Sequence, residues 1–166
     1  MRQSASLLAS IAVLTLCGAF GAHAADAPAI QMVGRGVQIY SCQPAGTSFA
    51  WKLKGPDAVL YANDGKPAGR HFAGPSWQAA DGSMIVGQPL VSSPPPQPGS
   101  IAWLVLRVIS SSGEGLFANV TYVTRTATEG GVAPASGCDP AHPGAETRSS
   151  YSATYTFFTG PTAPTH

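Results

Sequence analysis

The sequence predicts an all-β fold: a single antiparallel β-sandwich or partly closed barrel of about eight or nine short strands, with one long disulfide-tethered loop. Three observations carry this. Phe49, Trp51 and Leu53 alternate with Ala50, Lys52 and Lys54, and Tyr151, Ala153, Tyr155 and Phe157 alternate with Ser150, Ser152, Thr154 and Thr156. That period of two is the mark of a half-buried strand. Turn-forming pairs recur at close intervals, among them Gly55-Pro56, Asp64-Gly65, Gly74-Pro75 and Asp81-Gly82. After residue 24 no segment of ordinary helix length carries a helical period.

Taken in order, residues 1–24 read as a secretory signal peptide. Arg2 gives a positive start, residues 7–20 are almost wholly apolar, and Ala22-His23-Ala24 has the small-x-small form of a cleavage site. Leu16 is too bulky for the position before a lipidated cysteine, which argues against lipid attachment at Cys17. The mature protein would start at Ala25, with residues 25–35 an N-terminal lead-in lacking periodicity, 36–159 one β domain and 160–166 a tail. The expected location is the periplasm or the extracellular space.

Strand-like pattern starts at Gly36 and ends at Cys42; a turn over 44–47 leads to the strand at 49–54. Gly55-Pro56-Asp57 interrupts that run, residues 58–61 resume it, and Asn63-Asp64-Gly65-Lys66 turns the chain back. Residues 69–83 compress a short strand around 70–72, the Gly74-Pro75 turn, a strand at 76–79 and the Asp81-Gly82 turn, which leads into 83–87. Such a succession of hairpins builds an antiparallel sheet. Ser92 to Ser100, with four prolines, favours extended polyproline geometry and reads as a rigid crossover between two halves of the domain, with a recognition segment for a proline-binding domain the alternative. Residues 101–109 are apolar on both faces apart from Arg107, as in a central strand covered on both sides. Residues 116–126 read as a strand, then 129–147 as a long loop, then the final strand to Phe157.

After cleavage at Ala24, 142 of the 166 residues remain, enough for one core. No later segment approaches the roughly 18 consecutive apolar residues that span a bilayer as a helix. Removing Arg2 from nine basic residues leaves eight, matched by eight acidic ones, so charge offers no reason to expect nucleic acid as a partner. No cofactor signature is present: Gly34-x-Gly36 lacks the third glycine and the strand–turn–helix setting of a dinucleotide fingerprint. Of the three cysteines, Cys17 falls in the leader. Cys42 and Cys138 are expected to pair, closing a loop of about 95 residues; a free redox-active thiol or a metal ligand is the alternative, and neither cysteine belongs to a Cys-x-x-Cys pair that would favour it.

The run Gly36-Val37-Gln38-Ile39-Tyr40-x-Cys42 is followed by Trp51-x-Leu53-x-Gly55-Pro56, Gly69-x-His71-x-x-Gly74-Pro75-x-Trp77 and Asp81-Gly82-Ser83. Further on come Trp103-Leu104, Val120-Thr121-Tyr122-Val123-x-Arg125, Gly130-Gly131-x-Ala133-Pro134, Gly137-Cys138 and Tyr151-Ser152-Ala153-x-Tyr155-x-Phe157. This series, covering about residues 36–158, resembles the secreted family known as domain of unknown function 3455, with bacterial and fungal members. The resemblance implies membership and brings no activity with it.

Two functions are in view. One is a non-catalytic domain that binds a ligand, with envelope or wall glycan the carbohydrate in question, or that serves a structural role, through the turns of 69–83 and the long loop. The other is a small secreted hydrolase in which His71 acts as general base beside Asp81 or Ser83. His71 equally suits a turn histidine packed on Trp77, and Asp81-Gly82 suits a hairpin turn; no Gly-x-Ser-x-Gly elbow supports the enzyme. Asp57, Asp64, Asp81 and Glu114 show no spacing that selects a glycosidase pair. Asp139 and His142 with His71 would be a metal site of weak pattern, and no metal is expected. Trp51 and Trp103 are expected in the core, and Trp77 to contact ligand together with His71. Arg107 and Arg125 are expected to pair with Glu114 or Glu129, with anion anchoring the alternative. Asn119-Val120-Thr121 is a glycosylation sequon placed in a strand.

Overall fold

The computed structural model describes residues 28–165, and both the leader and His166 lie outside the described residues. Eight strands follow one another: β1 Pro28–Ala45, β2 Ser48–Tyr61, β3 Pro67–Phe72, β4 Ser76–Ala79, β5 Met84–Ser93, β6 Trp103–Ser112, β7 Tyr122–Gly130 and β8 Glu146–Phe158. Each pairs antiparallel with the next, and β8 pairs back onto β1 from Ser41↔Glu146 to Pro28↔Phe158, so one sheet closes into a barrel. No helix is present among the described residues. Closure removes the two exposed edges that an open meander would leave.

The inner rows supply the core. Tyr151, Ala153, Tyr155 and Phe157 of β8 point inward and meet Met32, Leu60, Trp77, Ile85, Leu106 and Val123 from the other strands. Their hydroxyl-bearing neighbours in β8 face out, where Thr156 accepts a hydrogen bond from Gln31 at 3.3 Å. Phe117 and Val120, in the connection between β6 and β7, fold into one end of the barrel, Phe117 being fully buried.

β1 begins eight residues before Gly36, inside the expected lead-in. The periodicity is hidden because Gly34 and Gly36 occupy the inner row beyond Met32. A Cβ on Gly36 would fall 2.2 Å from the Asp57 carbonyl oxygen and 2.5 Å from the Ala58 Cα, so the glycine lets β1 and β2 approach where the sheet curves. Gly36→Ala should therefore destabilise by about 2 kcal/mol through overpacking. Urea unfolding checks this: a variant with wild-type stability would show that the two strands have room to part.

β2 runs unbroken through Gly55-Pro56-Asp57, where a strand break was expected. Ile39 pairs with Gly55 and Tyr40 with Leu53, leaving Lys54 as the extra residue of a bulge, and Gly55 adopts φ +148°. β3 pairs with β2 only from Asp57 onward, so at Pro56 one edge is open and a residue without an N–H is tolerated. The tip of the β1–β2 hairpin projects past the barrel, which leaves Leu53 56% exposed despite its inward parity.

The proline-rich segment is a hairpin connection and not a crossover, because β5 and β6 pair directly from Met84↔Ser112 to Ser93↔Trp103. A closed meander has no two halves to bridge. β6 starts at Trp103 and is covered on both sides only at Val105 and Leu106, 2% and 1% exposed; beyond them Arg107 is exposed and Ile109 56% exposed, so the expected two-sided cover does not extend along the strand. Residues 116–120 are turn, not strand. The long loop narrows to residues 131–145 and is pinned by the Cys42–Cys138 disulfide, beside which Cys42 N donates to Ala145 O and Gly144 N to Cys42 O.

Candidate functional site

His71 lies opposite Ala58 on β2 and Trp77 on β4, with its ring inside the barrel and 2% exposed. The Gly74-Pro75 turn brings the Ser76 carbonyl to Nδ1 at 2.8 Å, and a carbonyl only accepts, so Nδ1 carries the proton. The imidazole stacks on the Trp77 indole, 4.6 Å between centroids and 8° between planes, and meets Tyr155 edge-on at 4.9 Å. Burial drives its pKa down to about 3, aided by the Arg125 charge and opposed by the Ser76 bond. A ring without solvent access, bonded to backbone, is a structural histidine.

Asp81 and Ser83 sit at the other end of β4 and form a turn. The Asp81 carboxylate accepts from the Ser83 hydroxyl at 2.6 Å, the Ser83 amide at 2.9 Å and the Leu116 amide at 2.7 Å. Those bonds, the hydroxyl's first, hold its pKa below the usual carboxylate value. The Ser83 oxygen in turn accepts from Phe117 N at 3.1 Å. Their polar atoms are spent docking the 113–121 connection over the barrel end, so His71, Asp81 and Ser83 do not form one constellation. The other carboxylates do not converge either: Asp57 pairs with Arg70 and Arg148, and Asp64 with Lys66.

Asp139 and His142 bond to each other at 2.8 Å in the exposed loop, and His71 is inside the barrel. Among the described residues no three His, Cys, Asp or Glu side chains gather as metal ligands. Trp51 is half-buried against the long loop, where its indole N–H donates to Ser136 O at 3.0 Å, and Trp103 is half-buried on β6. Neither belongs to the core, whereas Trp77, expected at a surface, is 1% exposed within it. Alternation specifies which residues share a face; hairpin overhang and ring closure decide which faces are covered. Arg107 and Arg125 pair with neither Glu114 nor Glu129: Arg125 donates Nε and Nη2 to Ala102 O at 3.0 and 2.8 Å, and Glu129 accepts from Ser152.

Concave surfaces lie elsewhere among the described residues, two of them well formed. The larger, about 890 Å³, opens where β6 and β7 diverge, since they pair only from Leu104↔Arg125 to Arg107↔Tyr122. Arg107, Ser110, Ser111, Asn119, Thr121 and Tyr122 line it, and no acidic side chain does. Asn119 is exposed in a turn, a more accessible setting for the sequon than a strand. The smaller, about 310 Å³, lies between Phe49 and Trp51 of the hairpin tip and Pro134 to Ser136 of the long loop. Only the exposed sequon hinted at the larger groove, because its walls come from two segments whose separation depends on where pairing stops.

Fold and disulfide define a single-sheet antiparallel β-barrel with a long loop cross-linked to the end of β1. The chain belongs to the family described as protein of unknown function (DUF3455), whose model matches residues 23–159. No curated protein and no solved structure matches it.

Proposed function

We propose that this protein is a non-catalytic barrel, exported to the periplasm or beyond, that binds envelope or wall carbohydrate in the groove between β6 and β7. The observation that carries the reading is the lining of that groove. A guanidinium, a carboxamide, the four hydroxyl residues Ser110, Ser111, Thr121 and Thr159, and a phenol ring surround one open concavity, a mixture of donors, acceptors and one stacking face that suits a polyhydroxylated ring. The hydrolase alternative has lost its base to the barrel interior and its carboxylate and hydroxyl to a turn.

The test is a glycan array probed with protein recovered from the periplasm or medium, its N-terminus sequenced, alongside the Tyr122→Ala and Arg107→Ala variants. Wild type is expected to start at Ala25 and to bind at least one wall or envelope glycan, with each variant weaker by about tenfold, the equivalent of ~1.4 kcal/mol. Wild-type protein that binds no glycan removes the ligand class. Recovery only from cytoplasm with the leader intact removes the export half.

A further inference from the structure

Arg107 is the one charged residue that lines the groove between β6 and β7. It stands opposite Tyr122 in the register of the two strands, at the last pair before they part. Side chains so placed share a face, with Cβ atoms about 5 Å apart, so guanidinium and phenol ring front the groove together. The Tyr122 hydroxyl, 3.4 Å from Pro161 O, ties the ring to the segment after β8.

Arg107 differs from the other arginines of the described residues in having no partner. Arg35 lies over the Tyr61 ring, Arg70 and Arg148 share Asp57, and Arg125 donates to Ala102 O. Among the described residues Arg107 makes neither an ion pair nor a hydrogen bond. Exposure keeps its charge hydrated, and all five of its N–H donors stay available. No carboxylate among the lining residues competes for them.

We propose, on the basis of the carbohydrate reading of this groove, that the glycan it takes is acidic: the carboxylate of a uronic acid unit sits on Arg107 while a sugar ring lies over Tyr122. A carboxylate presents two coplanar acceptor oxygens that match two parallel N–H donors of the guanidinium fork. Its single negative charge is offset by one cation, and the groove holds one. A terminal phosphate, carrying about −1.5 to −2 near neutral pH, would be left under-neutralised there. The even balance of charge over the whole chain conceals this selectivity, which depends on the cation that one concavity holds.

The probes are short oligomers of glucuronic and of galacturonic acid, each beside its carboxyl-reduced form, in which every uronate has become the neutral sugar with its linkages intact. Wild type should bind at least one acidic oligomer, about tenfold more tightly than its reduced form. Arg107→Gln should bring that ratio close to one; the residue is exposed, so the variant should fold as wild type does. Tyr122→Ala should weaken both forms and keep the ratio, because the ring stacks on either sugar. Equal binding of the two forms by wild type, an Arg107→Gln variant that keeps the preference, or a phosphodiester-linked glycan bound as tightly as the uronate would each overturn the acidic assignment and leave the groove a neutral or phosphate-bearing glycan site. Wild type that binds neither these oligomers nor any glycan of the array overturns the carbohydrate reading as well.

Discussion

Replacing both Cys42 and Cys138 by alanine is expected to lower the unfolding free energy by about 4 kcal/mol, with a few kcal/mol lost even if the native geometry is undisturbed. The partners are 96 residues apart, so the bridge restricts almost the whole chain in the unfolded state, from the end of β1 to the loop before β8. In the folded state it fastens residues 131–145 to the projecting hairpin, next to the Trp51–Ser136 bond and the Cys42 backbone contacts with Gly144 and Ala145. Urea unfolding of the double variant, compared with wild type at matched m-value, measures the effect. A variant as stable as wild type would show that the unfolded chain is already compact enough for the bridge to add nothing.

The second large effect is a loss of stability in mild acid caused by His71. Its folded-state pKa is about 3 against 6.5 in a free chain, with burial the leading cause. Between those values the unfolded chain binds a proton that the folded protein refuses, so stability rises with pH across the window. The contribution is complete above pH 6.5 and is lost as pH falls, reaching about 2 kcal/mol by pH 5. Asp81, Asp139 and Glu146, whose pKa values are lowered by hydrogen bonds from Ser83, His142 and Lys54, lose their contributions further down, at and below the ordinary carboxylate range. The interval from pH 7 to 5 therefore isolates the histidine. His71→Phe, which retains a ring against Trp77, should flatten the profile there, and a wild-type profile already flat between pH 7 and 5 would refute the buried neutral imidazole.

Legibility of the fold followed the size of the inward side chains. Most of β8 was readable because large or aromatic residues alternate with hydroxylated ones, and β4 because the Gly74-Pro75 and Asp81-Gly82 turns bracket it. The first eight residues of β1 were not, because Gly34 and Gly36 stand on the inner row, and β2 read as broken because a bulge glycine and an edge proline resemble a turn. Residues 116–120 resemble a strand in composition, yet Asp81 and Ser83 draw the Leu116 and Phe117 amides into a turn. At the site, His71, Trp77, Asp81 and Ser83 could be singled out, but their direction could not. Gln38 carried no signal at all, since a glutamine on a strand ordinarily faces water.

By itself the sequence determined an all-β chain of successive hairpins, the partner of each cysteine in the folded domain, and the aromatic row of the last strand. Tertiary structure alone decided that the sheet closes, since closure depends on β1 and β8 meeting across more than a hundred residues of chain. The residues that alternate along a strand reveal only that they share a face. Whether that face looks into a barrel, under a loop or out to water is settled by the other seven strands, and here it sent His71 and Trp77 inside, left Leu53 and Ile109 outside, and buried the Gln38 amide without a partner.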